Sequence, residues 1–480
     1  MMDAMSTDAA ALRGPGSNTS HSLQWGEMAT LAVVFLLYSN AAAVAVKFHG
    51  VPFIIGAMVV LPLFIPLTHY VLLRRAPLVV SPALPFILLF LIVGAVSAIL
   101  SRNPRISQAT VLEECQGVAL FLLISNVVRT AATLRRVIWT LLLVGSLLGA
   151  ISLHQQVTKS FDKDYGGFGQ VRNEGFDVET AEGVVSQPRL SGPMGEKNRY
   201  AQIMIMLVPL GFMQYLGGRS VRSRTLAILA TTLTTLGFAL AFSRGAAAGF
   251  ALALGLSTLM GYIKPRHLVL AALGAVLALS VFPQYRTRLA SLTTLVSTMS
   301  ETQDSHERID SAIRGRFTEM QAAARVFADY PLIGVGPGMF KYYAQEYGNE
   351  GGLRLLETTR EAHNLYLGIA ADMGAPGILC FLGMVFVTVR NLGRARKRCM
   401  KTDPMMADMA AGFLLTIVTF LATGMSANFS FTRYFWLMLG LATAAASIPA
   451  RSAADNSNPV MVRRSAHPWK PSIAHSRVTT

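Results

Sequence analysis

Residues Leu365–Val389 read LYLGIAADMGAPGILCFLGMVFVTV, an apolar stretch broken by a single charge, Asp372. A helix rises 1.5 Å per residue, so about 20 apolar residues cross the roughly 30 Å hydrocarbon layer of a bilayer. The segment therefore has the length and composition of a membrane span. Its two ends differ. Arg360-Glu361-Ala362-His363-Asn364 stands before it, and the basic series Arg390, Arg394, Arg396, Lys397 and Arg398 follows it. A span with a cationic end and a chemically mixed end carries its own orientation signal, because cytoplasmic flanks collect Lys and Arg.

Eleven further stretches of the same kind predict an all-α integral membrane protein of about twelve transmembrane helices. They run from Glu27 to Val46, Val51 to Leu73, Pro82 to Leu100, Thr110 to Val128, Val137 to Leu153, Tyr200 to Leu216, Thr225 to Phe242, Ala246 to Ile263 and Leu268 to Phe282. After Leu365–Val389 come Met409 to Ser426 and Tyr434 to Ile448. The composition agrees: 52% of the 480 residues are hydrophobic and 14% charged, with a mean hydropathy of +0.45. A water-soluble enzyme is excluded by that balance. The expected organisation is an N-terminal tail over 1–26, a membrane domain over 27–450 and a basic, disordered tail over 451–480, with both termini cytoplasmic. The first apolar run is too long and too poorly flanked for a cleaved signal peptide, so it reads as a retained anchor.

The formal net charge of +16 could suggest a nucleic-acid partner. With the N-terminus inside, however, the cytoplasmic loops and tails collect the basic surplus that produces it, so the charge is a topology signal and no nucleic acid is needed. Two connections are long, about 154–199 and 283–364, and both face outward. Long connections in compact bundles tend to be functional. Cys115, Cys380 and Cys399 suggest neither a disulfide framework nor a metal site. No internal repeat is visible, which disfavours transporter architectures built from inverted repeats.

The second long loop holds Ser311 to Tyr330, in which Ile313, Phe317, Met320, Ala324 and Phe327 recur at helical spacing. This predicts an amphipathic helix resting on the bundle or at the interface, with Arg314 and Arg316 on its polar face. Pro331 to Gly338 (PLIGVGPG) fits neither a Walker loop nor a dinucleotide fingerprint and reads as a turn. Arg360 and His363 share a face if the helix of the tenth span starts one turn early. An interfacial histidine is commonly a packed, hydrogen-bonded residue. Beside cations, though, its neutral form is favoured, and a neutral imidazole can act as a general base.

The first loop ends in PRLSGPMGEKNRYAQ, with Arg189 and Gly192, and Arg244 lies in SRG at the outer end of the seventh span. Arginines at membrane boundaries usually snorkel to headgroups. Several converging with a histidine would instead suit an anionic ligand such as a phosphate or diphosphate. Asp162-Lys163-Asp164 and the run Asp304, His306, Glu307, Asp310 contain metal-capable groups without a recognised spacing, and both read as solvated loop. Glu113, Glu114 and Asp372 lie within spans, where carboxylates are expensive and usually paired or functional.

Taken together, twelve spans, a very long outward loop before the tenth and a His-Asn pair opening that span resemble the O-antigen ligase and polymerase superfamily of Gram-negative envelopes, in a GT-C-like glycosyltransferase class. The local matches are Arg189 with Gly192, Asn198 and Ala201, then Ser243-Arg244-Gly245, Arg316-Phe317 followed by Pro331 to Gly338, and His363-Asn364-Leu365 with Gly374. Lys197 stands where the family pattern has proline.

The resemblance implies a metal-independent, inverting transferase of the inner membrane with a periplasmic site and no soluble cofactor. Its donor would be a glycan on undecaprenyl diphosphate, and in the ligase branch its acceptor would be a sugar hydroxyl of lipid A-core. His363 would be the general base, Arg189, Arg244, Arg316 and Arg360 would hold the diphosphate, and Asn364 and Arg314 would support them. The polymerase and protein O-oligosaccharyltransferase branches share these motifs. A transporter or flippase is permitted by the span count, but it predicts ionisable groups deep in the bundle, whereas here they gather at the outer ends.

Overall fold

The computed structural model describes residues 16–180, 183–270, 272–273, 311–349, 359–429 and 432–457. It is a bundle of helices. In chain order these are α1 (Gly16–Tyr38), α2 (Ala41–His49), an irregular helical run Phe53–Leu73, α3 (Leu84–Leu100), α4 (Pro104–Val127) and α5 (Ala131–Thr158). After a hairpin come α6 (Lys197–Ile205), α7 (Val208–Leu216), α8 (Val221–Ala239) and α9 (Arg244–Leu259). Then follow α10 (Ser311–Asp329), α11 (Phe340–Asn349), α12 (Leu365–Cys399), α13 (Pro404–Gly424) and α14 (Arg433–Ser457).

The all-α expectation has one exception. Within the first long loop, β1 (Val171–Thr180) and β2 (Gly183–Leu190) form an antiparallel hairpin with an irregularity between Arg172 and Phe176.

Among the described residues, five helical segments are long and apolar enough to cross a membrane, and six if the pair Gln24–Tyr38 and Ala41–His49, bent by 58°, counts as one. The protein is a multi-pass membrane protein of helical type. Most of the other predicted spans are also helical here but shorter or broken: α3 and α9 are short, and the sixth is split into α6 and α7 at Met206 and Leu207. The ninth predicted span falls almost wholly outside the described residues, as does the run Asp304–Asp310. Leu88, Ile92 and Ile99 of α3 and Leu379, Leu382 and Phe386 of α12 are all exposed, an apolar surface suited to lipid rather than water.

Helix α12 packs on α3 and α13, α4 on α14, α5 on α8, and α9 on α13. Gly145 and Gly149, four residues apart on α5, let α8 approach closely: a Cβ at Gly149 would lie 2.0 Å from the Leu233 carbonyl oxygen. Asp162-Lys163-Asp164 belongs to a tight turn in which Asp164 Oδ1 accepts from the Gly166 amide at 3.1 Å.

The amphipathic helix forms as expected, but with the opposite face inward. Gly315, Thr318, Glu319, Ala322, Ala323 and Val326 are buried, while Phe317 is 42% exposed and Ala324 is exposed. Spacing selected the bulky apolar residues. The bundle instead takes the small ones, because Ala322, Ala323 and Val326 seal a separate core with Val335, Phe340, Ala344, Ala362 and Ala371. Close approach of α10 to α12 needs small side chains, and the large ones are left to the interface.

Candidate functional site

The N-terminal end of α12 is built by three local devices. Asn364 is its N-cap, its Oδ1 accepting from the amides of Tyr366 and Leu367, both at 3.0 Å. Such a cap satisfies donors that the first helical turn leaves open. The Asn364 Nδ2 group donates to the Met425 carbonyl at 3.2 Å, tying the cap to the end of α13. Ten residues on, at Gly374, the helix breaks (φ 66°, ψ −169°).

The turn Pro331–Gly338 sits in that break. Ala375 N donates to Pro331 O at 2.7 Å, Val335 N to Ala371 O at 3.0 Å and Gly336 N to Asp372 O at 2.9 Å. The Asp372 carboxylate accepts from the amides of Gly338 and Phe340, both at 2.8 Å, and so caps the start of α11. Gly334 has φ 73°, and a Cβ there would lie 2.3 Å from the Asp372 backbone. The turn reading of PLIGVGPG is correct, and the intramembrane carboxylate Asp372 is what holds it. Glu114 is likewise paired: it accepts from Trp436 Nε1 at 2.8 Å.

His363 precedes the cap with φ 43°, in the left-handed region. A non-glycine residue held there costs of order 1–3 kcal/mol and persists only where its surroundings fix it. The helix does not start a turn early, so Arg360 and His363 share no helical face. They meet instead through a residue absent from the motif reading, Glu319 of α10. His363 Nδ1 lies 2.7 Å from Glu319 Oε2, and Arg360 Nη1 lies 3.9 Å from Glu319 Oε1. His363 Nδ1 also bonds the Glu361 carbonyl at 3.1 Å. That carbonyl is the better aligned partner, since Glu319 Oε2 makes no aligned hydrogen bond. The nearest charge to the imidazole is therefore an acid, not the cations expected beside it.

Arg316 lies one turn before Glu319 on α10 and is half-buried. Arg314 is in the helix, but its side chain lies outside what is described. The other two arginines are held by different elements. Arg189, at the end of β2, is buried; its Nε donates to Ala241 O at 2.8 Å, and its Nη2 to Phe242 O at 3.1 Å and Asn198 Oδ1 at 3.2 Å. It braces the turn that leads, through Phe242 at φ 49°, into Arg244 at the first position of α9.

Lys197 is the first helical residue of α6, a position where proline is favoured because its missing N–H is not needed.

A hub joins these parts. Met425 O accepts from Asn364, a Cβ at Gly245 would lie 1.8 Å from Ser426 Oγ, and Asn428 accepts twice from Arg199 Nη2, at 2.7 and 2.9 Å. The segment Met425–Asn428 carries no recognisable motif. Only the fold brings the ends of α6, α9 and α12 to it. Asn428, Glu361 and Ala362 line a cleft of about 260 Å³ whose wall includes Glu113, Lys341 and Asp372. Among the described residues no cluster of three or more His, Cys, Asp or Glu could hold a metal ion.

A family model described as O-antigen ligase matches residues 228–382, about a third of the chain, from within α8 to the middle of α12. The match supports the O-antigen ligase superfamily and implies an enzyme of glycosyltransferase type in its ligase and polymerase group. It contains Arg244, Arg316, Arg360 and His363, whereas Arg189 lies before it. No curated relative matches the chain.

Proposed function

We propose that the protein is an O-antigen ligase of the Gram-negative inner membrane, with about twelve crossings, cytoplasmic termini and a periplasmic site. It transfers a glycan from undecaprenyl diphosphate to a sugar hydroxyl of lipid A-core, with inversion and without a metal ion. The observation that carries this reading is His363, held in a strained backbone conformation at one end of α12 beside a buried acid that also faces an exposed arginine, inside the segment that resembles the ligases. Strain of this kind clusters at functional sites.

In this mechanism His363 removes the proton of the acceptor hydroxyl. Arg244, Arg316 and Arg360 bind the diphosphate and stabilise the charge that builds on it as the glycosidic bond breaks. Arg189, which the motif also suggested for that task, serves it by fixing the turn that presents Arg244. Asn364 sets the end of the helix, and Arg314 is assigned a supporting role. Both substrates are lipid-anchored, which suits a protein whose flanks are apolar.

The test is a lipopolysaccharide gel from a host lacking the protein, run beside an assay for glycan still on its carrier. Bare core with polymer accumulated on the carrier is the expected result. Core capped by a single repeat would mean a polymerase, and an unchanged ladder would discard both and favour protein glycosylation or transport.

A further inference from the structure

The Glu319 side chain keeps only 2% of its surface, and a carboxylate so placed needs compensating partners. Among the described residues its ionic neighbours are His363 and Arg360. The small residues Ala322, Ala323 and Val326 on the same face let α10 approach closely enough for this contact. His363 Nδ1 faces two oxygens, one of them the Glu361 carbonyl, which can only accept. Nδ1 must then carry the proton, and in the neutral ring the lone pair belongs to Nε2.

We propose that Glu319 is a positioning residue: it holds His363 with Nδ1 protonated and Nε2 presented to the acceptor hydroxyl, and it balances the imidazolium formed during transfer. The inference rests on the transferase reading above. In the step, the acceptor O–H bond breaks and its proton passes to Nε2. The oxygen forms the new bond to the anomeric carbon, while the bond from that carbon to the diphosphate oxygen breaks and its electron pair leaves with the diphosphate. Glu319 gains no proton. Arg360 lies beside its other oxygen, so Glu319 joins the base to an arginine that meets the donor.

The experiment uses the full chain in nanodiscs, with an undecaprenyl diphosphate-linked oligosaccharide as donor and lipid A-core as acceptor. Glu319→Gln, Glu319→Asp, His363→Ala and the double variant Glu319→Gln/His363→Ala are compared. Glu319→Gln, which preserves shape, is expected to lower kcat about 10²-fold with both KM values within about threefold. Glu319→Asp should recover part of the loss, and the double variant should be no slower than His363→Ala alone, since residues acting as one unit are not additive. A merely structural glutamate would give losses that multiply with those of His363→Ala, or that appear in KM, and either result overturns the proposal. If Glu319→Gln does not insert, the same cycle run with Glu319→Asp decides. The two levels separate cleanly. Full activity in His363→Ala sinks the transferase mechanism itself, whereas an inactive His363→Ala beside a fully active Glu319→Gln sinks only the role of Glu319.

Discussion

Two arginines suggested by the same motif reading have opposite surroundings. Arg189 is buried with its guanidinium spent on two backbone carbonyls and an asparagine. Arg360 is 44% exposed and faces one carboxylate at 3.9 Å. A guanidinium in the first setting is a staple, because its removal strands acceptors that water cannot reach. In the second it is screened, weakly held and able to exchange one anion for another. Residue type alone makes both into diphosphate ligands, and burial separates them.

That contrast can be broken by substitution. The largest expected effect is on chemistry: His363→Ala should lower kcat by about 10²–10⁴-fold, or roughly 3–5 kcal/mol of barrier, in a protein that still folds and inserts. Next, Arg189→Met should cost about 3 kcal/mol of stability, seen as a lower unfolding temperature in detergent. Were the variant to keep its unfolding temperature and lose donor affinity instead, the staple would be a ligand after all.

Gly334→Ala should cost about 2 kcal/mol, because φ 73° is unfavourable for a side chain and the Cβ meets the Asp372 backbone. Its transfer activity should fall along with stability, since the turn and the start of α12 are one assembly. The smallest effect is expected for Arg360→Gln, a rise in donor KM of about fivefold, near 1 kcal/mol. This should shrink in high salt, and a salt-independent loss would place Arg360 with the staples.

Much of the helical framework could be read from apolar length, and the turn at Pro331–Gly338 from its glycines and prolines. Three things could not. The buried face of α10 follows which side chains are small enough for contact with α12, whereas periodicity ranks them by hydrophobicity and so points outward. Glu319 sits in no motif, and its signal, an acid one turn after Arg316 on a helix beside a membrane, has meaning only once His363 is known to face it. The hub at Met425–Asn428 is assembled from three helix ends far apart in sequence, and its bonds are largely to backbone atoms that residue identity does not reveal.

The break at Gly374 has a mechanical meaning. With Pro331–Gly338 lodged in it and bonded to both sides, the helix is a notched beam with a wedge driven into the notch. The short arm from Leu365 to Met373 is clamped by the wedge below and by the Asn364 tie above, while the long arm to Cys399 runs on through the bilayer. His363 thereby sits directly before the clamped arm, held from both of its ends.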